Sequence, residues 1–342
     1  MKKLLSLFIL GLSISSVSLA QDKETPYLVK TYKSSEIKNL IVRTSGGGIS
    51  VTGGEGDEAR VEVYVRGNNG GSNLSKDEIE DRLKEYELSI KKEGETISCI
   101  AKRKSESAWK NGLSISFKIY TPDKISTDLL TSGGGISLKN LTGNLGFTTS
   151  GGGLKLQNLG GNIKGRTSGG GISISGCRDN IDVATSGGGI DADGCKGNIK
   201  LTASGGGLIL KKLDGTIKAT TSGGGIRAEE ISGDFLTSTS GGSIKLEDIT
   251  ASVKASTSGG GIDADIKSLG KYLTLSTSAG SIHVRMPMDK GMDLDLGGQR
   301  VKVPNLYKFN GTVEKDRVKG SLNGGGNAVR MDANSGSVYI NE

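Results

Sequence analysis

The sequence predicts an all-β protein: a single-stranded parallel β-solenoid, or β-helix, of about 18-residue coils, with capping segments and one short helix in an N-terminal insert. Three observations predict it. The string Thr-Ser-Gly-Gly-Gly-(Ile/Leu) recurs with small variations, its Ser falling at 132, 150, 168, 186, 204, 222, 240 and 258, then at 278. Apolar residues fall in columns at the same period. Gly supplies 56 of 342 residues against only 4 Pro, with no Gly-X-Y period, which suits stacked corners and excludes collagen.

Residues 1–20 read as a secretory signal peptide. Lys2 and Lys3 form its basic end, 4–12 its apolar stretch, and Ser18-Leu19-Ala20 its small-x-small cleavage site. The apolar run is too short to span a bilayer, and no later segment reaches the ~20 apolar residues that a span needs. Residue 21 is Gln rather than Cys, so a lipid-modified signal is not indicated. The mature chain is expected to be exported: periplasmic, outer-membrane-associated or extracellular.

Residues 21–128 hold a first coil and a helix-bearing insert. The first coil is 40–51, LIVRTSGGGISV, in register with the repeat. Residues 55–128 carry the strand-like runs VEVYVRG and LSISFKIY. Ser75 and Glu78 have capping-box spacing, ahead of a short helix with Ile79, Leu83 and Tyr86 on one stripe.

Residues 129–285 form the array. One column is Ile or Leu at 136, 154, 172, 190, 208, 226, 244 and 262. Two places on it reads Leu138, Leu156, Ile174, Ala192, Leu210, Ala228, Leu246, Ala264. A third is Leu141, Leu159, Cys177, Cys195, Leu213, Ile231, Ile249, and a fourth Leu145, Ile163, Ile181, Ile199, Ile217, Phe235, Val253 and, after a two-residue insertion, Leu273. Spacing of two is strand periodicity, with these columns inward and their neighbours outward. Coils stacked as parallel strands about 4.8 Å apart make a rod of about 38 Å for eight coils. The Gly triplet is expected to supply positive φ and close approach between coils. Asn144, Asn162, Asn180 and Asn198 are expected to stack at a left-handed corner, and aligned Thr and Ser to form hydroxyl ladders. Residues 286–342 complete the chain as a C-terminal cap, ending in a degenerate coil over 329–340. End coils must be covered, because an exposed strand edge invites pairing.

These features resemble the bacterial "putative adhesin" β-strand-repeat family, a domain of unknown function. The matching residues are a signal peptide, the approach TPDKISTDLLTSGGGISL, stacked SGGG-I coils, and the closing GSLNGGGNAVRMDANSGSVYI. The resemblance covers 40–51 and about 118–342, and the segment 55–118 looks like a local elaboration. It implies a β-solenoid and an extracytoplasmic, non-enzymatic envelope or surface protein, and it supplies no catalytic residues.

The candidate sites are few. Glu229, Glu247 and Asp265 share one outward column on consecutive coils, with Glu230 and Asp248 beside it. Stacked like charges repel unless a cation or basic partner relieves them, so this is the candidate binding patch; Lys211 and Arg285 can screen its two ends. Cys177 and Cys195 lie one coil apart in an inward column, read as two buried thiols, with a bridge as the alternative. Cys99 is a lone third cysteine with no pattern of a nucleophile. Three Cys without CxxC spacing form no zinc site. Calcium is weighed because 18 is twice nine, but the aligned column Ser137, Lys155, Ser173, Asp191, Ile209, Arg227, Lys245, Asp263 does not repeat its ligands. The single His, His283, falls on the outside of its strand. Phe147 and Phe235 fall in inward columns, so Trp109 and Tyr120 are better placed for sugar stacking. No phosphate-cradling motif occurs, and no cofactor is implied.

Formal charge is 44 − 37 = +7, or +5 without Lys2 and Lys3, with acids and bases interspersed and no basic block. Nucleic acid is not an expected partner. The expected role is adhesin-like binding or scaffolding of an envelope or surface protein or glycan, without catalysis. The alternative is a periplasmic envelope-stress or regulatory component that binds a partner. A polysaccharide-acting β-helix enzyme ranks third, since no paired acid has apolar neighbours to raise its pKa.

Overall fold

The computed structural model describes residues 25–54, 56–68, 74–104 and 112–342. The signal peptide expected over 1–20 lies outside the described residues, as does Trp109.

Alternation of apolar and polar residues gives short strands, and the repeat fixes which strand pairs with which. Thr142–Thr149, Gly160–Thr167, Arg178–Thr185, Lys196–Ala203, Asp214–Thr220 and Ser232–Thr239 pair in parallel, each residue opposite the one 18 further on. A second row of four-residue strands does the same: Ile136–Lys139, Leu154–Gln157, Ile172–Ser175, Ile190–Asp193, Leu208–Lys211 and Ile226–Glu229. The four apolar columns are buried throughout the two rows, so the period-two pattern faces the core as read. They belong to one continuous hydrophobic cluster.

The sheet is mixed, which corrects the expectation of a purely parallel one. Strand Leu28–Lys33 runs antiparallel to Glu58–Gly67, which is antiparallel to Leu113–Thr121, and Tyr86–Glu93 is antiparallel to Thr96–Arg103. Beyond the last repeat, Arg317–Leu322 is antiparallel to both Met292–Gly298 and Phe309–Val313. The reason is connection length. Short links such as Glu93–Thr96 can only reverse the chain, whereas 18 residues return it in the same direction. Strands Asn39–Thr44 and Ile49–Gly53 lie between the array and the insert. Each pairs in parallel with Ser126–Thr131 or Ile136–Lys139 on one side and with Thr96–Arg103 or Leu113–Thr121 on the other.

Two corner assignments change. The triplet glycines of the array do not have positive φ. They are required by contact: a Cβ on Gly188 would lie 2.5 Å from Gly170 O, Gly171 Cα and Gly171 N, and the equivalent middle glycines are as tight. Asn144, Asn162, Asn180 and Asn198 do stack in register, but in extended strand. The left-handed corner is four residues earlier, at Asn140, Asn158, Gly176, Gly194, Lys212, Glu230 and Asp248, with φ between 52° and 62°. Asn158 Nδ2 donates to Asn140 Oδ1 at 3.1 Å, a local amide bond that favours this conformation. The hydroxyl ladder also takes another form. Each Thr hydroxyl donates to the middle Gly carbonyl of the preceding repeat, as Thr185 does to Gly170 O at 2.6 Å.

The helix is Lys76–Leu83, with the capping box formed between Ser75 and Glu78. Tyr86 is not on it. It begins the strand Tyr86–Glu93, and its buried hydroxyl accepts from Leu113 N at 2.8 Å.

Candidate functional site

The acidic column assembles as its spacing implies, with Glu229 in register with both Lys211 and Glu247. Each of its three carboxylates meets a cation. Glu229 pairs with Lys211 at 3.5 Å, Glu247 with Arg227 and Lys245 at 2.8 Å each, and Asp265 with Arg285 at 3.2 Å. Beside the column, Asp248 pairs with Lys267 at 2.9 Å. The hydrogen bond from Lys245, aided by Arg227, holds the Glu247 carboxyl below its ordinary value. Glu230 occupies the left-handed corner next to them. The column Glu229–Glu247–Asp265 is not evenly spaced, because the pairing slips between Leu246 and Ile249, so that Ile249 faces Ile266. Among the described residues, no three His, Cys, Asp or Glu side chains converge on a point where a metal ion could sit.

The cysteines are core residues. Cys99 is fully buried, and burial pushes its thiol up to about 12. Cys177 and Cys195 are buried as free thiols; the hydrogen bond between them, with burial, pushes the Cys177 thiol up. The same hydrogen bond holds the Cys195 thiol below its ordinary value, but all three sulfurs are buried, away from any partner they could attack. His283 is on the outside of its strand, 3.4 Å from Asp263 Oδ1 and stacked on Tyr339 with centroids 4.8 Å apart. Tyr120 is already engaged: the Arg60 guanidinium lies 4.3 Å from its ring centroid and the Lys118 ammonium 5.2 Å.

A long concavity lies elsewhere. A groove of about 1760 Å³ runs across successive repeats, over the third glycine of each triplet: Gly48, Gly135, Gly153, Gly171, Gly189, Gly207 and Gly225. At roughly 4.8 Å per strand step its six steps span about 29 Å. The groove exists because this column has no side chains, and it stops where the column becomes Ser243. Each of these glycine carbonyls is used inside the stack, as when Ile136 N donates to Gly153 O at 3.0 Å. The N–H groups of Gly135, Gly153, Gly171, Gly189, Gly207 and Gly225 meet no acceptor among the described residues. One wall is the outward column that includes Lys118, Lys155, Asp191, Ile209 and Arg227; Glu62, at one end, is ion-paired with Arg60 at 2.9 Å. With Arg227 held by Glu247, the cations of this wall that have no carboxylate partner are Lys118 and Lys155, against one unpaired acid, Asp191. The sequence reading took all three glycines as structural. The signal it passed over is that the third position tolerates Ser at 243, 281 and 337, whereas the middle position never changes in the array.

No family model matches the chain, and no curated protein does. Solved structures similar to it are of bacterial origin. A "putative cell adhesion protein" from Clostridium sporogenes is 12% identical, covering 92% of this chain and 97% of its own, with a TM-score of 0.18. A "putative adhesin" from Bacteroides fragilis is 12% identical, covering 92% and 96%, at 0.23. A "putative lipid binding protein" from Parabacteroides distasonis is 12% identical, covering 94% and 98%, at 0.31.

Proposed function

We propose that this is an exported, non-catalytic binding protein of the bacterial envelope or surface, of the "putative adhesin" β-strand-repeat kind. Its repeats form a parallel β-solenoid of 18-residue coils over 129–285, and the strands of 21–128 and 286–342 cap its two ends. Its ligand is an extended acidic polysaccharide lying in the long groove. The observation that carries this reading is the groove floor, a row of bare glycines with unused N–H groups beside Lys118 and Lys155.

The chemistry of that floor selects the ligand class. It offers hydrogen-bond donors and no free carbonyl acceptors, so a peptide would leave its own N–H groups unpaired. An acyl chain would bury the glycine N–H groups without partners, which costs free energy. A polyuronate brings carboxylate and hydroxyl oxygens to donors repeating along the rod, and its charge complements the lysines. The carboxylates of Glu229, Glu247 and Asp265 are each held by a cation, so the reading gives them no catalytic step.

Titration calorimetry with polygalacturonate, at two salt concentrations, tests the reading. Binding is expected to weaken with salt. Gly171→Ser should abolish it while leaving the fold intact: a Cβ there meets Gly189 O at 3.3 Å, a tight contact at a position where the array already carries Ser243 and Ser281. Absence of binding, or binding unchanged in Gly171→Ser, removes the groove as the site.

A further inference from the structure

The 18-residue period breaks once inside the array, between Ser258 and Ser278. The break has a definite place in the structure. The pairing of Ile244–Thr257 with Ile262–Thr277 slips between Ala251 and Val253, and the two extra residues fold over Ser252. Ser252 is buried, and its Oγ accepts from Lys271 N at 3.0 Å. Tyr272 comes next. It precedes Leu273 as Ser252 precedes Val253, and so it follows, in the same column, Asn162, Asn180, Asn198, Thr216, Asp234 and the covered Ser252, with Ala328 as its partner on the other side.

Tyr272 is part of the lining of a cleft of about 570 Å³, separate from the long groove, that also includes Asn198, Thr216, Asp234 and Leu236. Leu236 is 38% exposed, unusual for a large apolar side chain on this rod. Among the described residues, no side-chain hydrogen bond or ion pair engages Asn198, Thr216 or Asp234. The charges lining the cleft cancel: Asp182 and Asp234 against Lys200 and Lys218. An aromatic ring and an exposed Leu beside unused amide, hydroxyl and carboxylate groups, with no net charge, fit a ligand with one apolar face and a rim of neutral hydroxyls.

We propose that this cleft binds a neutral pyranose unit of a glycan. The sugar's C–H face packs on Tyr272 and Leu236, and its hydroxyls bond to Asn198, Thr216 and Asp234, which can accept and, for the amide and hydroxyl, donate. The insertion is then what turns a uniform face into a site. The cleft is independent of the long groove, and its ligand differs by carrying no charge.

Saturation-transfer NMR with neutral cello-, malto-, manno- and chito-oligosaccharides tests this on the whole mature protein. At least one of them should show transfer that competes with its own unlabelled excess. Tyr272→Ala should weaken that binding at least about tenfold, and Tyr272→Phe, which keeps the ring, should change it by less than about threefold. Gly171→Ser, which blocks the groove, should leave it unchanged, so failure of one site is distinguishable from failure of the other. No transfer from any of the four series overturns the proposal, and so does equal transfer in Tyr272→Ala with an unchanged melting temperature.

Discussion

Ala203 interrupts an otherwise regular bracing system. At 131, 149, 167, 185, 221, 239, 257 and 277 a threonine hydroxyl donates to a glycine carbonyl one repeat back, at 2.6–2.7 Å. Ala203 is buried in that column, in register with Thr185, and the Gly188 carbonyl lacks the bond its equivalents receive. Ala203→Thr should therefore raise unfolding free energy by about 1 kcal/mol, measured in urea, since it completes a buried hydrogen bond. A loss of stability would mean the site has no room for the added γ atoms. The buried thiols set a different limit, at high pH. Cys99 holds its proton to about 12 in the folded chain, against 9.0 for an unperturbed thiol. Between those values the folded state binds more protons than the unfolded one, so stability is full below pH 9 and falls as pH rises toward 12. Cys99→Ala should flatten that alkaline decline in a melting-temperature series, without moving the neutral-pH slope.

The strands show how far pattern alone reaches. Ile163 is fully buried and Lys164 beside it is exposed. Ile163→Asp should cost several kcal/mol by placing an unpaired charge in the core, and Lys164→Gln less than about 0.5 kcal/mol, both read by chemical denaturation. Similar losses would put the strand's faces the wrong way round. Inward columns and 18-residue pairing were legible because burial acts on every second residue and the period repeats it. The antiparallel strands at the ends were not, since VEVYVRG alternates in the same way whichever direction its partner runs. Tyr86 was misplaced because a stripe at helical spacing cannot reveal that its hydroxyl is used by Leu113 N. The groove was hidden for another reason: three glycines in a row look alike on paper, and only the stack separates a middle one wedged against the preceding repeat's backbone from a third one that touches the next repeat's carbonyl and lines the groove. The cleft at Tyr272 was half visible, as a gap of 20 residues where 18 was the rule.

Across the molecule, register matters more than any single contact. Removing residues 176–193, one whole period, joins Ser175 to Gly194 and preserves every column. That variant should give a β-type circular dichroism spectrum and a single cooperative melt, whereas removing nine residues, half a period, should not fold, because it turns the inward columns outward. Two non-cooperative transitions in the 18-residue deletion would argue against one continuous stack. The same property bears on heredity. A copying error in the coding DNA that adds or drops one unit between Ile136 and Glu229 lengthens or shortens the glycine floor by one step and leaves both ends and the Tyr272 cleft untouched. Lineages can thus change the length of the groove without inventing a single new contact.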